Sequence, residues 1–128
     1  MAETFSVEKL KEMKKGIEAF NHQLYWECHE ELEVVWLEDR SEVRNVYWAV
    51  IQVAAALVHY QNNNIVGARG MMNKAREKFT KCEPFENELM NSELSWHNFK
   101  KLALGLRLDF EMHELTPLFH FRFKDYTC

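Results

Sequence analysis

Residues that interrupt helices are scarce in this sequence, which has four glycines and two prolines among 128 residues. Glycine and proline are the strongest local breakers of regular structure, so a chain with few of them forms long elements. Its apolar residues recur every three or four positions over long stretches, which is the spacing of a helix with one buried face. The sequence therefore predicts an all-α protein.

The expected helix ends lie where Ser, Asn and Pro residues occur. Ser6 and Asn21 are suitable N-caps for the first two helices, and Ser41 for the third. Three consecutive asparagines at 62–64 favour the end of one helix and the start of the next. Five helices are expected, over residues 7–20, 22–38, 42–61, 65–81 and 93–114. Short turns between them predict a single compact bundle built on antiparallel helix hairpins.

The C-terminal stretch from Leu118 to Tyr126 alternates apolar and polar residues, as a strand does. A lone strand has no partner in an all-helical protein, so an extended tail is expected over 118–126. Its phenylalanines would otherwise be exposed, which favours packing on the bundle or on a second subunit. Residues 1–128 are then expected to form one domain, since the length is near the commonest domain size.

Bulk properties argue against several classes of protein. The formal charge of −4 does not favour nucleic acid, and the lysines at 74, 78 and 81 are interpreted as one solvated helix face. The charged N-terminus does not resemble a signal peptide, and the longest apolar run, 46–58, is too short for a bilayer. Three cysteines without a CxxC pair are typical of free thiols in a reducing compartment. We expect a cytoplasmic protein that binds neither nucleic acid nor membrane.

The stretch ECHEELEVVW, residues 27–36, places one histidine and several glutamates among Leu, Val and Trp. On a helix that turns about 100° per residue, His29 and Glu33 fall within the apolar arc, one turn apart. Glu30 lies at its border, and the other glutamates face solvent. Because a buried carboxylate is costly unless it is paired, His29 and Glu33 are the candidate site.

The short turn at 39–41 predicts that the second and third helices are antiparallel neighbours. His29 is then level with Gln52 or Ile51, and Glu33 is level with Trp48. Arg40 and Arg44 are close enough in sequence to pair with Glu33. The residues expected to line the pocket or join its network are Trp26, Trp36, Arg44, Trp48, Gln52 and His59.

At these residues the chain resembles DUF309, a family of small all-α proteins of unknown function. The family pattern F-N-x-G-x-Y-[FW]-E-A-H-E-x-x-E-x-x-W contains an H-E-x-x-E motif, which here comprises His29, Glu30 and Glu33. The other positions that match are Phe20, Asn21, Tyr25, Trp26, Glu27 and Trp36. The resemblance implies a compact helical fold with a pocket centred on His and Glu, and it implies no particular reaction.

Two further segments carry the same resemblance. The pattern R-x-x-x-Q-G-L-I-Q-x-A-x-A-x-x-H is matched by Arg44, Ile51, Gln52, Ala54, Ala56 and His59, and G-N-x-x-G-A by Asn64, Gly67 and Ala68. The chain departs from the family where Gln23 and Asn63 stand in place of glycine, and where Trp48-Ala49 stands in place of Gln-Gly. The family-like core is expected to span residues 17–81.

Three functional interpretations remain open. In the first, His29 and Glu33 belong to a buried polar network with Arg44 and Gln52, within an interaction module that forms a homodimer or binds a protein partner. In the second, the same pocket binds a divalent metal through His29, Glu33 and His59. In the third, it binds a small ligand or performs hydrolase-like acid–base chemistry through His29, Glu30 and Glu33.

Overall fold

The computed structural model describes residues 4–91 and 94–123. Over these residues every regular element is helical, so the prediction of an all-α protein is confirmed. The α-helices are α1 (Val7–Glu12), α2 (Lys14–Asn21), α3 (Tyr25–Glu38), α4 (Arg44–Gln61), α5 (Ile65–Lys81), α6 (Glu86–Asn91), α7 (Trp96–Leu104) and α8 (Thr116–His120), with short 3-10 helices at Glu83–Phe85 and Met112–Leu115. None of the described helices is both long and apolar enough to cross a membrane.

The count of about five helices is not confirmed. The expected helices over 42–61 and 65–81 agree within two residues with α4 and α5, but the one over 7–20 is divided at Met13 into α1 and α2. Residues 83–91, which lie between two of the expected helices, contain a 3-10 helix and α6. The helix expected over 93–114 is wrong beyond Leu104, because no regular helix is present at 105–111.

Two arginines of α5 explain why the chain leaves the helical path after α7. Arg76 donates hydrogen bonds to the carbonyl oxygens of Leu104 and Leu106. Arg69 donates from Nε to the carbonyl oxygen of Phe110 at 2.9 Å. These carbonyls are bonded to side chains of another helix, so the segment does not need helical N–H donors to satisfy them.

The centre of the fold is α4, which packs against α3 on one side and α5 on the other. Nearly every residue from Asn45 to Leu57 is buried, including the polar side chains of Asn45 and Gln52. A helix that is apolar around its whole circumference is stable only when other elements cover it. The three helices α3, α4 and α5 therefore form the frame in which any site near α4 is built.

The C-terminal segment packs against the beginning of the bundle through aromatic rings. Phe123 is buried and lies with its ring centroid 5.0 Å from that of Phe20 and 4.7 Å from that of Phe99. The extended tail expected over 118–126 needs correction, because residues 118–120 belong to α8 and the extended backbone begins at Phe121. Residues 124–126 lie outside the described part of the chain.

Asn21 holds this segment and does not cap α3 as expected. It is the last residue of α2, and its amide exchanges two hydrogen bonds with the backbone of Phe123, at 3.1 Å and 2.8 Å. Gln23 and the hydroxyl of Tyr25 both donate to the carbonyl oxygen of Phe119, at 3.1 Å and 2.8 Å. Pro117, expected to end a helix, instead lies in the first turn of α8.

We predict that Asn21→Ala lowers the free energy of unfolding by about 1–3 kcal/mol, because a partly buried N–H and C=O of Phe123 lose their partners. Asn73, exposed in the middle of α5, is the matched control. Asn73→Ala should be neutral or slightly stabilising, since alanine is the better helix former. Urea denaturation measures both, and equal effects would contradict the role given to Asn21.

Asp39 connects α1 to the turn before α4 through hydrogen bonds of its side chain. Its carboxylate accepts hydrogen bonds from Lys9 Nζ at 2.7 Å, from the Tyr47 hydroxyl at 2.9 Å and from the N–H and hydroxyl of Ser41. Burial raises the pKa of this carboxyl, but the hydrogen bonds from Lys9, Ser41 and Tyr47 outweigh burial and lower the pKa to about 2. The ionised form of Asp39 therefore stabilises the fold.

A carboxyl whose pKa is lowered on folding stabilises the protein above its ordinary pKa of 3.8. That stabilisation is lost as the pH falls from about 4 towards about 2. We predict that Asp39→Asn lowers the free energy of unfolding by roughly 2 kcal/mol at pH 7, at about 1.4 kcal/mol per pKa unit. The difference in the free energy of unfolding between this variant and the unmodified protein should become smaller towards pH 2. Asp109→Asn, at an exposed ion pair with Arg107, should change stability little at any pH.

Candidate functional site

The buried face of α3 is narrower than the sequence indicated. Tyr25, Cys28 and Leu32 are fully buried, and burial raises the pKa of the Cys28 thiol. On a helix that turns about 100° per residue, Trp26 and Leu37 would extend the apolar arc beyond Glu33, but they are 57% and 56% exposed. The arc therefore ends near His29, and the prediction that Glu33 points into the apolar side needs correction.

His29 and Glu33 do contact one another at the rim of that face. His29 Nε2 lies 3.4 Å from Glu33 Oε2, and the two side chains are 27% and 48% exposed. Trp26, expected to line the pocket or join its network, stacks its indole on the imidazole of His29 at 5.3 Å between centroids. The exposed tryptophan thus covers His29 from the solvent side. Glu30, the third residue of the motif, is exposed.

A cavity of about 250 Å³ opens beside this pair, where α3, α4 and α5 meet. It brings together three of the other predicted site residues with His29 and Glu33, and it adds apolar side chains that sequence reasoning did not assign to the site. The lining consists of His29, Glu33, Trp36, Trp48, Ile51, Gln52, Ala55 and Met71. Of these, Met71 belongs to α5. It lies four residues before the buried Ala75, and this helical spacing was the sequence signal that Met71 faces the interior.

Two cations stack on the two indoles of the cavity wall. The rings of Trp36 and Trp48 lie 5.0 Å apart, with the Arg44 guanidinium 4.0 Å from the Trp36 ring and Lys78 Nζ 4.0 Å from the Trp48 ring. The sequence had suggested that Arg44 pairs with Glu33, but in the structure Arg44 contacts the indole of Trp36. Lys78 is only 6% exposed, so its assignment to a solvated face was wrong. The sequence did contain a signal that Lys78 is buried, because Lys78 lies three residues after Ala75 and next to Phe79, on the buried face of α5.

Most of the unpaired polar atoms of the described residues belong to this cluster. Among the described residues, six buried side-chain nitrogen or oxygen atoms have no hydrogen-bond partner. Four of the six belong to the cluster: His29 Nδ1, Trp36 Nε1, Arg44 Nε and Gln52 Oε1. Buried polar atoms are nearly always paired in folded proteins. The expected hydrogen bonds among His29, Glu33, Arg44 and Gln52 are thus reduced to the one contact between His29 and Glu33.

His59 lies in a separate, smaller cavity of about 130 Å³, which shares His29 and Ala55 with the first and is also lined by Trp26. Its Nδ1 is 3.3 Å from the side-chain nitrogen of Asn64, the N-cap of α5. Within residues 4–91 and 94–123, no three His, Cys, Asp or Glu side chains are grouped so that they could hold one metal ion. His29, Glu33 and His59 therefore do not form the three-ligand set that was considered.

Two of the three positions at which this chain lacks a family glycine have a common backbone conformation. Gln23 and Asn63 both have a positive φ, 61° and 56°, a region that glycine enters without steric cost. Gly67, which this chain keeps, is required for packing, because a Cβ there would lie 2.5 Å from Nδ1 of His59. Three glycines of the pattern are thus explained by backbone geometry and packing, without a ligand.

We predict that Gly67→Ala destabilises the protein by about 1–3 kcal/mol, because the His59 ring must move. Gly70 is the matched control in the same helix, since a Cβ there would meet nothing within 4 Å. Gly70→Ala should stabilise the protein by about 0.5–1 kcal/mol through helix propensity. Thermal unfolding of both variants tests this, and a gain at Gly67 would contradict the packing argument.

Comparison with known proteins agrees with the motif assignment. Residues 13–71 match the model of DUF309, a domain of unknown function. A stretch of 49 residues is 47% identical to "Uncharacterized protein YpuF" of Bacillus subtilis (strain 168), and covers 38% of this chain and 28% of that protein. No solved structure matches the chain. The resemblance seen in the sequence is therefore confirmed, since residues 13–71 of this chain are similar to the DUF309 domain.

Proposed function

We propose that the cavity between α3, α4 and α5 binds a small molecule, and that this DUF309 protein is a helical ligand-binding module. Gln52 carries the argument. It is only 6% exposed, it lines the cavity, and its Oε1 has no partner among the described residues. An unpaired buried acceptor costs about 1–3 kcal/mol, and a bound molecule that donates a hydrogen bond would remove that cost.

The surroundings of Glu33 favour ligand binding over a purely structural network. A structural network gains its stability when every buried member is paired. Here Arg44 stacks on Trp36 and the Glu33 carboxylate is about half exposed at the mouth of the cavity. A half-exposed carboxylate above a cavity with unpaired polar atoms is accessible to an incoming molecule.

A divalent metal at His29 and Glu33 is the second candidate. The 3.4 Å contact between Nε2 and Oε2 supports it, because it places one imidazole nitrogen and one carboxylate oxygen side by side. A metal here would take its remaining ligands from water or from a substrate, as open catalytic sites do. Hydrolase-like chemistry with His29, Glu30 or Glu33 would rest on that arrangement or on acid–base transfer between the pair.

Three further expectations from the sequence stay predictions. They are the antiparallel hairpin arrangement, a homodimer or other protein partner, and a cytoplasmic location. The exposed apolar side chains of Trp26, Val34 and Leu37 on α3 support the expectation of a partner, since exposed apolar residues of one helix are a common feature of interaction surfaces.

We predict that Gln52→Met leaves the free energy of unfolding unchanged or raises it, because the nearly isosteric side chain removes an unpaired acceptor. A structural network at Gln52 requires the opposite result, a loss of about 1–3 kcal/mol. Urea denaturation separates the two. Asn45 is the control, a buried amide of the same helix that is bonded to the Glu42 carbonyl at 2.9 Å. Asn45→Leu should be clearly destabilising.

For the metal candidate, we predict that zinc, manganese or iron raises the melting temperature of the unmodified protein but not that of Glu33→Gln. Glu27→Gln, an exposed glutamate of the same helix, is the control and should keep the shift. Equal melting temperatures with and without metal would remove the metal candidate and leave the small-molecule proposal unaffected.

A further inference from the structure

We infer that the occupant of the cavity is an uncharged heteroaromatic ring that bears an amino group, such as an aminopurine or an aminopyrimidine. This inference rests on the proposed function, since it names the class of molecule for the same cavity. It follows from the size of the cavity, the balance of hydrogen-bonding atoms on its wall and the charges around it.

The size of the cavity sets an upper limit on the molecule. A volume of about 250 Å³ corresponds to roughly eight water molecules at about 30 Å³ each. Sites for drug-sized ligands begin at about 300 Å³. A mono- or bicyclic ring therefore fits within the cavity, and a larger molecule would extend past Glu33 into solvent.

The wall favours a flat ring. Trp36 and Trp48 contribute indoles whose centroids are 5.0 Å apart, and Ile51, Ala55 and Met71 complete the apolar part of the lining. Aromatic rings prefer offset or edge-to-face contact with indoles, at centroid distances of about 4.5–7 Å. A planar ligand makes such contacts without the loss of rotational freedom that a flexible chain would suffer.

Acceptors outnumber donors on the wall, which favours an amino group on the ligand. Gln52 Oε1 is an unpaired acceptor, and the Glu33 carboxylate accepts at the mouth. When the Nε2 proton of neutral His29 faces Glu33, Nδ1 is a third acceptor. Trp36 Nε1 is an unpaired donor, and it matches a ring nitrogen. A ligand with an amino group next to a ring nitrogen could donate to Gln52 Oε1 and accept from Trp36 Nε1.

The charges favour a neutral molecule. Among the lining residues Glu33 is the carboxylate, and it stands at the mouth, where it would repel an anion such as a phosphate. Arg44 and Lys78 each lie 4.0 Å from one of the two indole rings, where they would repel a cation. A neutral ring avoids both repulsions.

Adenine, purine, adenosine monophosphate and indole are suitable probes for the full-length protein. Isothermal titration gives their affinities, and the indole N–H signal of Trp36 in NMR spectra reports where they bind, with Trp96, buried elsewhere in the core, as the internal reference. Adenine should bind at least about tenfold more tightly than purine, which lacks the amino group, because purine leaves Gln52 unpaired. Adenosine monophosphate should bind more weakly than adenine.

Gln52→Met should remove the preference for adenine over purine and leave the affinity for purine within about twofold. Circular dichroism confirms that the variant is folded. Purine binding as tightly as adenine, adenosine monophosphate binding more tightly, or adenine binding the variant unchanged would each overturn the inference. If indole alone shifts the Trp36 signal, the cavity binds small molecules but not this class. If no probe shifts that signal, both this inference and the proposed function are overturned.

Discussion

The burial of α4 is the constraint on which the rest of the structure depends. Its side chains are apolar on almost every side, so the chain lowers its free energy only by covering that helix all round. α3 and α5 supply most of the cover, and the 3-10 helix at Met112–Leu115 contacts α4 as well. Because the covering helices are dictated by α4, a polar residue in its middle is buried whether or not a partner is present.

The two buried amides of α4 show how differently such residues can be satisfied. Asn45 lies in the first turn and donates to both the carbonyl and the carboxylate of Glu42, so it stabilises the start of its own helix. Gln52 lies in the middle, where the carbonyls of the preceding turn are already bonded within the helix. The Oε1 atom of Gln52 faces a cavity instead. Residues with similar chemistry thus contribute to stability at one position and to a site at the other.

The parts of the fold that depend on local chemistry were predictable from the sequence. The long apolar run predicted α4, and Asn63 and Asn64 predicted the turn before α5, where one has a positive φ and the other caps the helix. The pairing of His29 with Glu33 and the position of Gln52 followed from helix geometry. These predictions needed only the spacing of residues along one helix or across one short turn.

The parts that depend on contacts distant in sequence were not predictable in this way. Asn21 resembles an N-cap locally, but its amide is used by Phe123, and the path of 105–111 is determined by two arginines of α5. The extent of the buried face of α3 was overestimated because tryptophan was assumed to be buried. Trp26 has an aromatic partner at the surface, the imidazole of His29, and so remains exposed.

The pairing of Asn21 with Phe123 joins residues 102 positions apart, and this has a consequence for synthesis on the ribosome. Phe20 and Phe99 are completed as a packed aromatic cluster only when Phe123 arrives. During translation the helices α2 to α5 can form early, but this apolar surface stays uncovered until Phe123 has emerged. Premature termination just before Phe123 would leave an otherwise assembled bundle with an open hydrophobic face, which is a feature that chaperones and proteases recognise.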